Sequence, residues 1–314
     1  MNYFRGNIAY VDLRGYVGHY SNSARRSIKK TVARNFVFPS NFKSLRSESV
    51  WGISMVRDEE DVIEEVIRHQ LGQGISPILI ADNNSVDSTP RILARLAEEL
   101  PVFIVQDSLR AYHQDEKMTA LSRAAFDHGA KWIVPFDADE MWFAEESTVA
   151  DFLTNSDLSI VRAAMYNIYP TGAKSIGSMD LSEQPMAKVA FRASRFALLG
   201  IGNHRVVRSG KLGTGLYVAH YPWRNVEQLQ RKVRQGREAL EAAALAGNMG
   251  SHWRALADLT DRDVQRLWSF IETQTPHPVL EDKFLGPFVD VDPRHWSTWQ
   301  GPRADQQDAG SKHA

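Results

Sequence analysis

Asp137, Asp139 and Glu140 are the residues best suited to chemistry in this 314-residue chain. They lie in the stretch Lys-Trp-Ile-Val-Pro-Phe-Asp-Ala-Asp-Glu-Met-Trp over 131–142. An apolar, β-rich run over 131–136 stops abruptly at the three carboxylates. A buried carboxylate without a partner is costly, and the simplest partner for several of them is a divalent cation. Asp137 and Asp139 stand two apart, so an extended backbone would direct both to one side of the chain. Hard oxygen donors in this number suit Mg2+ or Mn2+, held by one or two carboxylates together with substrate phosphates. The alternative is an acidic turn that caps the element after it.

The elements that must position these residues can be read upstream. Val50 to Val56 is an apolar run of strand length. Arg57 to Asp61 follows, with Asp58 suited to cap a helix whose buried stripe is Val62, Ile63, Val66, Ile67 and Leu71. Residues 77–81 form a second strand, and the turn-rich stretch 82–89 follows it. Thr89-Pro90 opens the next helix, carrying Ile92, Leu93, Leu96 and Leu100. Residues 102–106 make a third strand, and 114–128 a helix with Met118, Leu121 and Ala125 inward. This alternation predicts an α/β fold, a Rossmann-like and mostly parallel sheet with helices on both faces. Ligands in such sheets bind beyond the carboxyl ends of the strands. Arg57, Asp82 and the Asp137/Asp139 pair all fall at such ends.

Further along, 149–153 reads as a short helix and 158–163 as a strand. Residues 166–185 read as a long loop and 188–195 as a strand. Residues 215–221 run into His220-Tyr221-Pro222. Asn225 caps a long helix, and Thr260 with Asp263 forms a capping box for another. From Thr273 the chain reads as irregular, and from about Gly301 as disordered. Residues 1–48 carry nine basic side chains against Asp12 and Glu48, interleaved with tyrosines and phenylalanines. They read as an extension that packs on a neighbouring surface or a partner subunit, or stands as a solvated arm. Three segments are expected: the extension 1–48, a domain over 49–260, and a helical C-terminal part with its tail over 261–314.

Composition narrows the function. With 43% hydrophobic and 24% charged residues the chain can bury a sizeable core. A formal net charge of −1 gives no argument for nucleic acid. The absence of cysteine excludes thiol nucleophiles, Cys-ligated zinc and iron–sulfur clusters, and fits a reducing compartment. No apolar run approaches the roughly 20 residues of a membrane helix. The expectation is a cytoplasmic protein whose basic, aromatic extension is suited to peripheral contact with an acidic membrane surface.

The ordered motifs carry a resemblance. Val56-Arg57-Asp58-Glu59-Glu60-Asp61, Asp82-Asn83-Asn84-Ser85-Val86-Asp87-Ser88-Thr89 and Phe136-Asp137-Ala138-Asp139-Glu140 resemble the blocks of family 2 glycosyltransferases, in particular a bacterial family 2-like group. Lys117 to Ser122 is similar to that family's Lys-x-x-Ala-Leu-Asn stretch. His220-Tyr221-Pro222, Glu227-Gln228 and Lys232 to Gly236 are similar to a later block. The resemblance spans about residues 50–240.

That resemblance implies a GT-A fold and a nucleotide-sugar donor, with a UDP-sugar favoured. Met55, Arg57, Asp82 and Asn84 would lie along the nucleotide. Asp139, with Asp137 beside it, would hold Mn2+ or Mg2+ against the diphosphate. His220 would stand near the metal or the phosphates. Lys117 would offset phosphate charge, unless it stands on a solvated helix face. The base that activates an acceptor hydroxyl is sought in Asp180, Glu183 and His204. The acceptor would be a glycan or a lipid-linked hydroxyl. Ser122 departs from the family's Asn. The Gln-x-x-Arg-Trp motif of processive members is absent, which argues for a single transfer, and the family resemblance implies an inverting one. Two other readings remain open: a nucleotidyltransferase-like enzyme, and a non-catalytic protein that binds sugar nucleotides.

Overall fold

The computed structural model describes residues 8–9, 22–170, 177–242, 259–275 and 286–302. The chain divides into two units. The first comprises Met1–Ala163, Met186–Val218 and Ser297–Trp299, and the second Ala164–Pro185, Ala219–Trp296 and Gln300–Ala314. In chain order the first unit holds β1 (Ile8–Ala9), α1 (Ser23–Asn35), β2 (Phe36–Val37), β3 (Val50–Val56), α2 (Ile63–Gly72), β4 (Ile78–Asp82), α3 (Thr89–Glu99) and β5 (Val102–Asp107). It continues with α4 (Gln114–Asp127), β6 (Trp132–Pro135), β7 (Glu140–Ala144), α5 (Val149–Asn155) and the start of β8 (Ile160–Pro170). After β9 (Gly177–Asp180), which belongs to the second unit, come β10 (Lys188–Arg192), β11 (Leu198–Leu199), β12 (Val206–Val207) and β13 (Gly210–His220).

The alternation read from the sequence builds the centre of the first unit. Four strands lie in the order β6, β3, β4, β5, and all three pairings are parallel. Ile53, Leu79, Ala81, Val105 and Ile133 of these strands are at most 1% exposed, and they pack with Met118, Leu121 and Ala125 of α4. Apolar burial of this kind is the main favourable term holding the layers together. Antiparallel strands extend the parallel core on both sides: β10 then β8 beyond β6, and β2 beyond β5.

The described residues before β3 pack against the core of the first unit. Asn22 caps α1 by accepting the Ala24 N–H at 2.9 Å. Arg25 ties the helix to α4 through Asp115 at 2.9 Å. Val32, Phe36 and Phe42 are buried in the core of the first unit. The Phe42 ring lies 5.3 Å from Phe38, 5.8 Å from Phe103, 6.2 Å from Trp51 and 4.1 Å from His128. Phe36 and Phe42 are therefore core residues, with Phe38 packed against them. Phe36 sits on a two-residue strand and Phe42 on a 3-10 turn, each too short to impose a visible period.

The second unit contains the end of β8, β9, α6 (Val226–Ala242), α7 (Asp261–Glu272) and β14 (Phe288–Val291). The segment 166–185 is not a loop throughout. β8 runs on to Pro170 and β9 pairs back antiparallel, with Ile168 opposite Met179, and β14 pairs with β9. Residues 171–176 lie outside the described residues. Asn167, buried at 2%, interrupts the apolar pattern and hides the strand from a periodicity reading. Asn225 caps α6 as expected, accepting the Gln228 N–H at 2.8 Å, and the capping box of Thr260 and Asp263 opens α7. Tyr169, Trp223, Leu229, Val233, Val264, Leu267 and Ile271 form this unit's core. The tail read as disordered, from Gly301, lies outside the described residues beyond 302. Among the described residues no helix is long and apolar enough to cross a membrane.

Candidate active site

Parallel pairing sets the carboxyl ends of four neighbouring strands along one edge. In spatial order those ends lead into Asp137, Arg57, Asp82 and Asp107. Val56 stands opposite Asp82, Asp82 opposite Gln106, and Ile53 opposite Pro135. Such an edge is where α/β sheets bind ligands. Arg57, Asp82 and Asp137 were singled out from the sequence. Asp107 was not, because one acidic residue at the end of a strand carries no motif.

The acidic residues after β6 do not continue as an extended chain. They close a turn in which the Glu140 N–H donates to the Asp137 carbonyl at 3.2 Å. The backbone here is a turn and not an extended chain, and it brings ligand atoms of Asp139 and Glu140 within 4.8 Å of one another. The Asp137 N–H donates to Glu140 Oε2 at 3.1 Å. Lys188, the first residue of β10, places its ammonium 2.6 Å from Asp137 Oδ2, 2.5 Å from Glu140 Oε1 and 2.8 Å from the Gly202 carbonyl. Asp137 Oδ1 accepts from Asn203 Nδ2 at 3.1 Å and from Gln114 Nε2 at 3.4 Å. Gln114 in turn accepts the Gly202 N–H at 2.7 Å through its Oε1. Gly202 adopts φ +71°, and a Cβ there would stand 2.4 Å from the His204 ring, so the turn that presents both its N–H and its carbonyl needs glycine.

Burial governs the electrostatics here. Burial pushes the Glu140 carboxyl up to about 8, with Asp137 and Asp139 adding to the rise and Lys188 opposing it. Burial alone would lower the Lys188 ammonium, but Asp137 and Glu140 outweigh it and hold the pKa above the usual lysine range. Burial, with the Asp137 charge next, also raises the Tyr112 phenol, whose hydroxyl donates to Gln114 Oε1 at 3.0 Å. Asp139 is only 3% exposed.

The loops after β3 and β4 are bonded to each other. Asp58 was read as a helix cap, yet α2 starts at Ile63 and Asp58 turns away from it. At φ +55° its Oδ1 accepts the Val86 N–H at 2.6 Å and the Asp87 N–H at 3.3 Å. Its own N–H donates to Ser85 Oγ at 3.0 Å. The Glu59 N–H donates to Thr89 Oγ1 at 2.9 Å, and the Ser88 N–H to Glu60 Oε2 at 2.8 Å. Thr89 thus serves the other loop, and Ser88 precedes the helix without a side-chain cap. Asp82 Oδ1 accepts from Ser85 Oγ at 2.5 Å. Asn84 is exposed with φ +54°, while Met55 and Arg57 are part-buried, the Arg57 Nε lying 3.8 Å from Asp58 Oδ2.

Lys117 is on no solvated face. Its side chain is fully buried, 2.7 Å from Asp107 Oδ2 and donating to the Leu109 carbonyl at 2.6 Å. Asn83 Nδ2 completes the group, at 2.7 Å from both Asp107 Oδ2 and the Leu109 carbonyl. The ammonium expected to meet phosphate is occupied by a buried carboxylate and anchors the loop that follows β5.

The remaining candidates divide between the units. His204 lies in the first, and its Nδ1 donates to the Ala187 carbonyl at 3.0 Å, next to Lys188 in the chain. Asp180, Glu183 and His220 lie in the second. Asp180 is fully buried and its Oδ1 accepts the Ser182 N–H at 2.9 Å; Glu183 is part-buried. His220 ends β13, and its Nδ1 is 2.7 Å from Asn167 Oδ1, while Asn167 Nδ2 donates to Tyr169 Oη at 2.9 Å. An amide oxygen only accepts, so His220 carries its proton on Nδ1 and, when neutral, its lone pair on Nε2. That is how an outer partner orients an imidazole for a metal.

Sequence reasoning missed Lys188, Gln114, Asn203, Asp107 and Asn167. The available signal for Lys188 and Asn167 was a polar residue inside a strand otherwise made of buried residues, since such a residue must have a partner.

No family model matches the chain, and no curated protein matches it. Among solved structures it is similar to S. aureus TarS residues 1–349 in complex with UDP-GlcNAc, at 11% identity and a TM-score of 0.40, over 72% of this chain and 74% of that one. The same protein in complex with UDP matches at 12% identity and 0.39, over 71% and 73%. A putative glucose-1-phosphate thymidylyltransferase from Bacillus anthracis, in complex with a sucrose, matches at 11% identity and 0.26, over 84% and 94%.

Proposed function

We propose that this chain is a glycosyltransferase that moves a sugar from a nucleotide-sugar donor, favourably a UDP-sugar, to a hydroxyl of a glycan or lipid-linked acceptor in a single inverting transfer. The observation that carries the reading is the row of Asp137, Arg57, Asp82 and Asp107 along the carboxyl edge of four adjacent parallel strands, with the acidic turn at one end. The resemblance of the motifs 56–61, 82–89 and 136–140 to family 2 glycosyltransferases supports it.

In this reading Asp82 and Asn84 meet the base and ribose, and Met55 and Arg57 flank the nucleotide. A divalent cation fits the donor chemistry of Asp139, a nearly buried carboxylate whose charge costs least beside a cation. Bound there, Mn2+ or Mg2+ would neutralise the departing nucleoside diphosphate. His220, oriented by Asn167, is the candidate for a further ligand. His204 leads the candidates for the base that takes the acceptor proton: its Nδ1–H is fixed on a backbone carbonyl, which leaves Nε2 as the basic nitrogen. Asp180 and Glu183 are tested beside it. The enzyme is placed at the cytoplasmic face of a membrane, held there by the exposed basic side chains of α1.

The test is a calorimetric panel of UDP, GDP, CDP and dTDP with and without Mn2+, on the wild type, Asp139→Ala and His220→Ala. Binding of one nucleotide that requires Mn2+ and is lost in Asp139→Ala is the expected result. Absence of metal-dependent binding to all four overturns the reading.

A further inference from the structure

We infer that the segment 22–47, which holds α1, β2 and the 3-10 turn after them, is a docking surface for a lipid bilayer rich in anionic headgroups. The inference deepens the membrane placement proposed above, and rests on that reading only for what the docked enzyme does there.

Charge is segregated in this chain. Residues 22–47 hold seven of its 37 basic side chains and none of its 38 acidic ones, which leaves the rest of the chain at a net −8. Arg25 pairs with Asp115 at 2.9 Å and Glu116 at 3.5 Å. Arg26, Lys29, Lys30, Arg34, Lys43 and Arg46 are exposed. Ile28 and Val32 turn to the core, so Arg26, Lys30 and Arg34, at helical spacing, share the opposite face of α1. Lys43 follows Phe42, whose ring meets Phe103 of β5, and so continues the basic surface along the outer margin of the sheet.

The exposed groups favour one partner. A protein interface is built on an apolar or aromatic centre and is poor in lysine. Within 22–47 the large apolar residue most exposed is Val37, at 57%, too little for such a centre. Single-stranded nucleic acid is held by stacking on aromatic rings, but Phe36 and Phe42 are buried and Phe38 stacks on Phe42 at 5.3 Å. An anionic bilayer needs only positive charge spread over an area, about fivefold in affinity for each Lys or Arg near its surface. The same headgroups repel the acidic remainder of the chain, so the attraction also fixes which side faces the bilayer. α1 is tied at both ends to the connection between β5 and α4. Asn35 Oδ1 accepts from Ser108 Oγ at 2.7 Å, and Arg25 meets Asp115. That connection leads from Asp107 to Gln114, whose Nε2 reaches Asp137 at 3.4 Å. The docking surface therefore flanks the carboxyl edge of the parallel strands, where the hydroxyl of a lipid-linked acceptor would arrive.

The experiment sediments the full chain with vesicles of phosphatidylcholine alone and of phosphatidylcholine with about 30% phosphatidylglycerol, at about 0.1 M and about 1 M NaCl. Binding to the anionic vesicles is expected to be at least about tenfold tighter than to the neutral ones, and to be lost at the higher salt. Lys30→Gln/Arg34→Gln/Lys43→Gln should weaken it by about tenfold or more. Arg68→Gln/Arg91→Gln/Lys211→Gln makes the same charge change at exposed positions elsewhere and should weaken it by less than about threefold. Wild-type binding that shows no preference for the anionic vesicles, or that is absent from both, overturns the inference. So does a first triple variant that binds as well as the wild type, or an equal loss in the two triple variants. Transfer RNA that binds the wild type more tightly than the anionic vesicles do overturns it in favour of nucleic acid. A wild-type dimer in sedimentation velocity that the first triple variant loses overturns it in favour of a second copy of the chain. No nucleotide enters the assay, so failure of the glycosyltransferase reading leaves these ratios standing, and failure here leaves the nucleotide panel untouched.

Discussion

Replacing Lys117 with methionine tests how the loop after β5 is held. The wild-type ammonium is 2.7 Å from Asp107 Oδ2 and donates to the Leu109 carbonyl, and both side chains are fully buried. Methionine preserves most of the volume and removes the charge. Asp107 would keep Asn83 Nδ2 at 2.7 Å and the Leu109 N–H at 3.0 Å, but its charge would lose its counter-ion. Breaking one side of a buried pair costs about 3–5 kcal/mol. Converting the survivor as well, in Lys117→Met/Asp107→Asn, exchanges an unpaired charge for a neutral amide, and the cost should fall to about 1–3 kcal/mol. The two changes are thus coupled by roughly 2 kcal/mol. pH supplies a second signature. Burial already raises the Asp107 carboxyl despite Lys117, and without the lysine it rises further. A carboxyl whose folded pKa lies above its unfolded value gives stability that is complete below the unfolded value and lost as pH rises through the folded one. The penalty of Lys117→Met should therefore be small near pH 4 and full above neutrality. Urea unfolding followed by tryptophan fluorescence at several pH values measures both effects. A Lys117→Met variant that loses less than about 1 kcal/mol at pH 8, or whose loss is unchanged by Asp107→Asn, would refute the argument.

Three further outcomes follow from other contacts. Asn167→Ala frees the His220 ring from its one fixed tautomer, and Mn2+ affinity should fall by about 10–100-fold if His220 is a ligand, with secondary structure by circular dichroism unchanged. His69 donates from Nε2 to the Trp142 carbonyl at 2.8 Å, and burial lowers its pKa against that bond's upward pull. Its stabilisation is therefore complete above about pH 6.5 and declines as pH falls below it, by at most roughly 1.4 kcal/mol per pH unit, and His69→Gln should flatten that slope in thermal melts. At Gly74, with φ +73° and a would-be Cβ 2.7 Å from the Ala150 Cβ, alanine should destabilise by about 1–3 kcal/mol; an unchanged melting temperature contradicts this.

What the sequence made legible was whatever obeyed a period or punctuated one. The parallel strands and their helices were readable because long apolar runs alternate with capped helical stripes. The acidic turn was readable because three carboxylates interrupt such a run. Lys188 was not, since its partners lie 48 and 51 positions back in the chain and no local rule joins them. Asp58 looked like a helix cap because capping residues often precede helices; it serves the loop 82–89 instead, a choice visible only when β3 and β4 are placed side by side. Lys117 read equally as a phosphate contact or as a solvated lysine on a helix, and its burial depends on Asp107 arriving from the end of the neighbouring strand. Asn167 disguised a strand as a loop for a similar reason: beside Tyr169 in its own strand, its other partner, His220, ends a strand 53 positions on.

The two-residue strand β2 has a bearing on how this chain can be handled. Phe36 and Val37 pair with Asp107 and Gln106, which otherwise close the outer margin of the parallel strands. A chain shortened to begin at Val50 would keep every residue of the proposed site and yet bare the backbone of β5, with Phe103 deprived of the Phe42 ring that meets it edge-on at 5.8 Å. Unpaired margins of this kind recruit strands from other molecules. During synthesis the order is reversed: the protective residues leave the ribosome first and must wait some seventy positions for the strand they shield, a gap in which a chaperone has its natural opportunity.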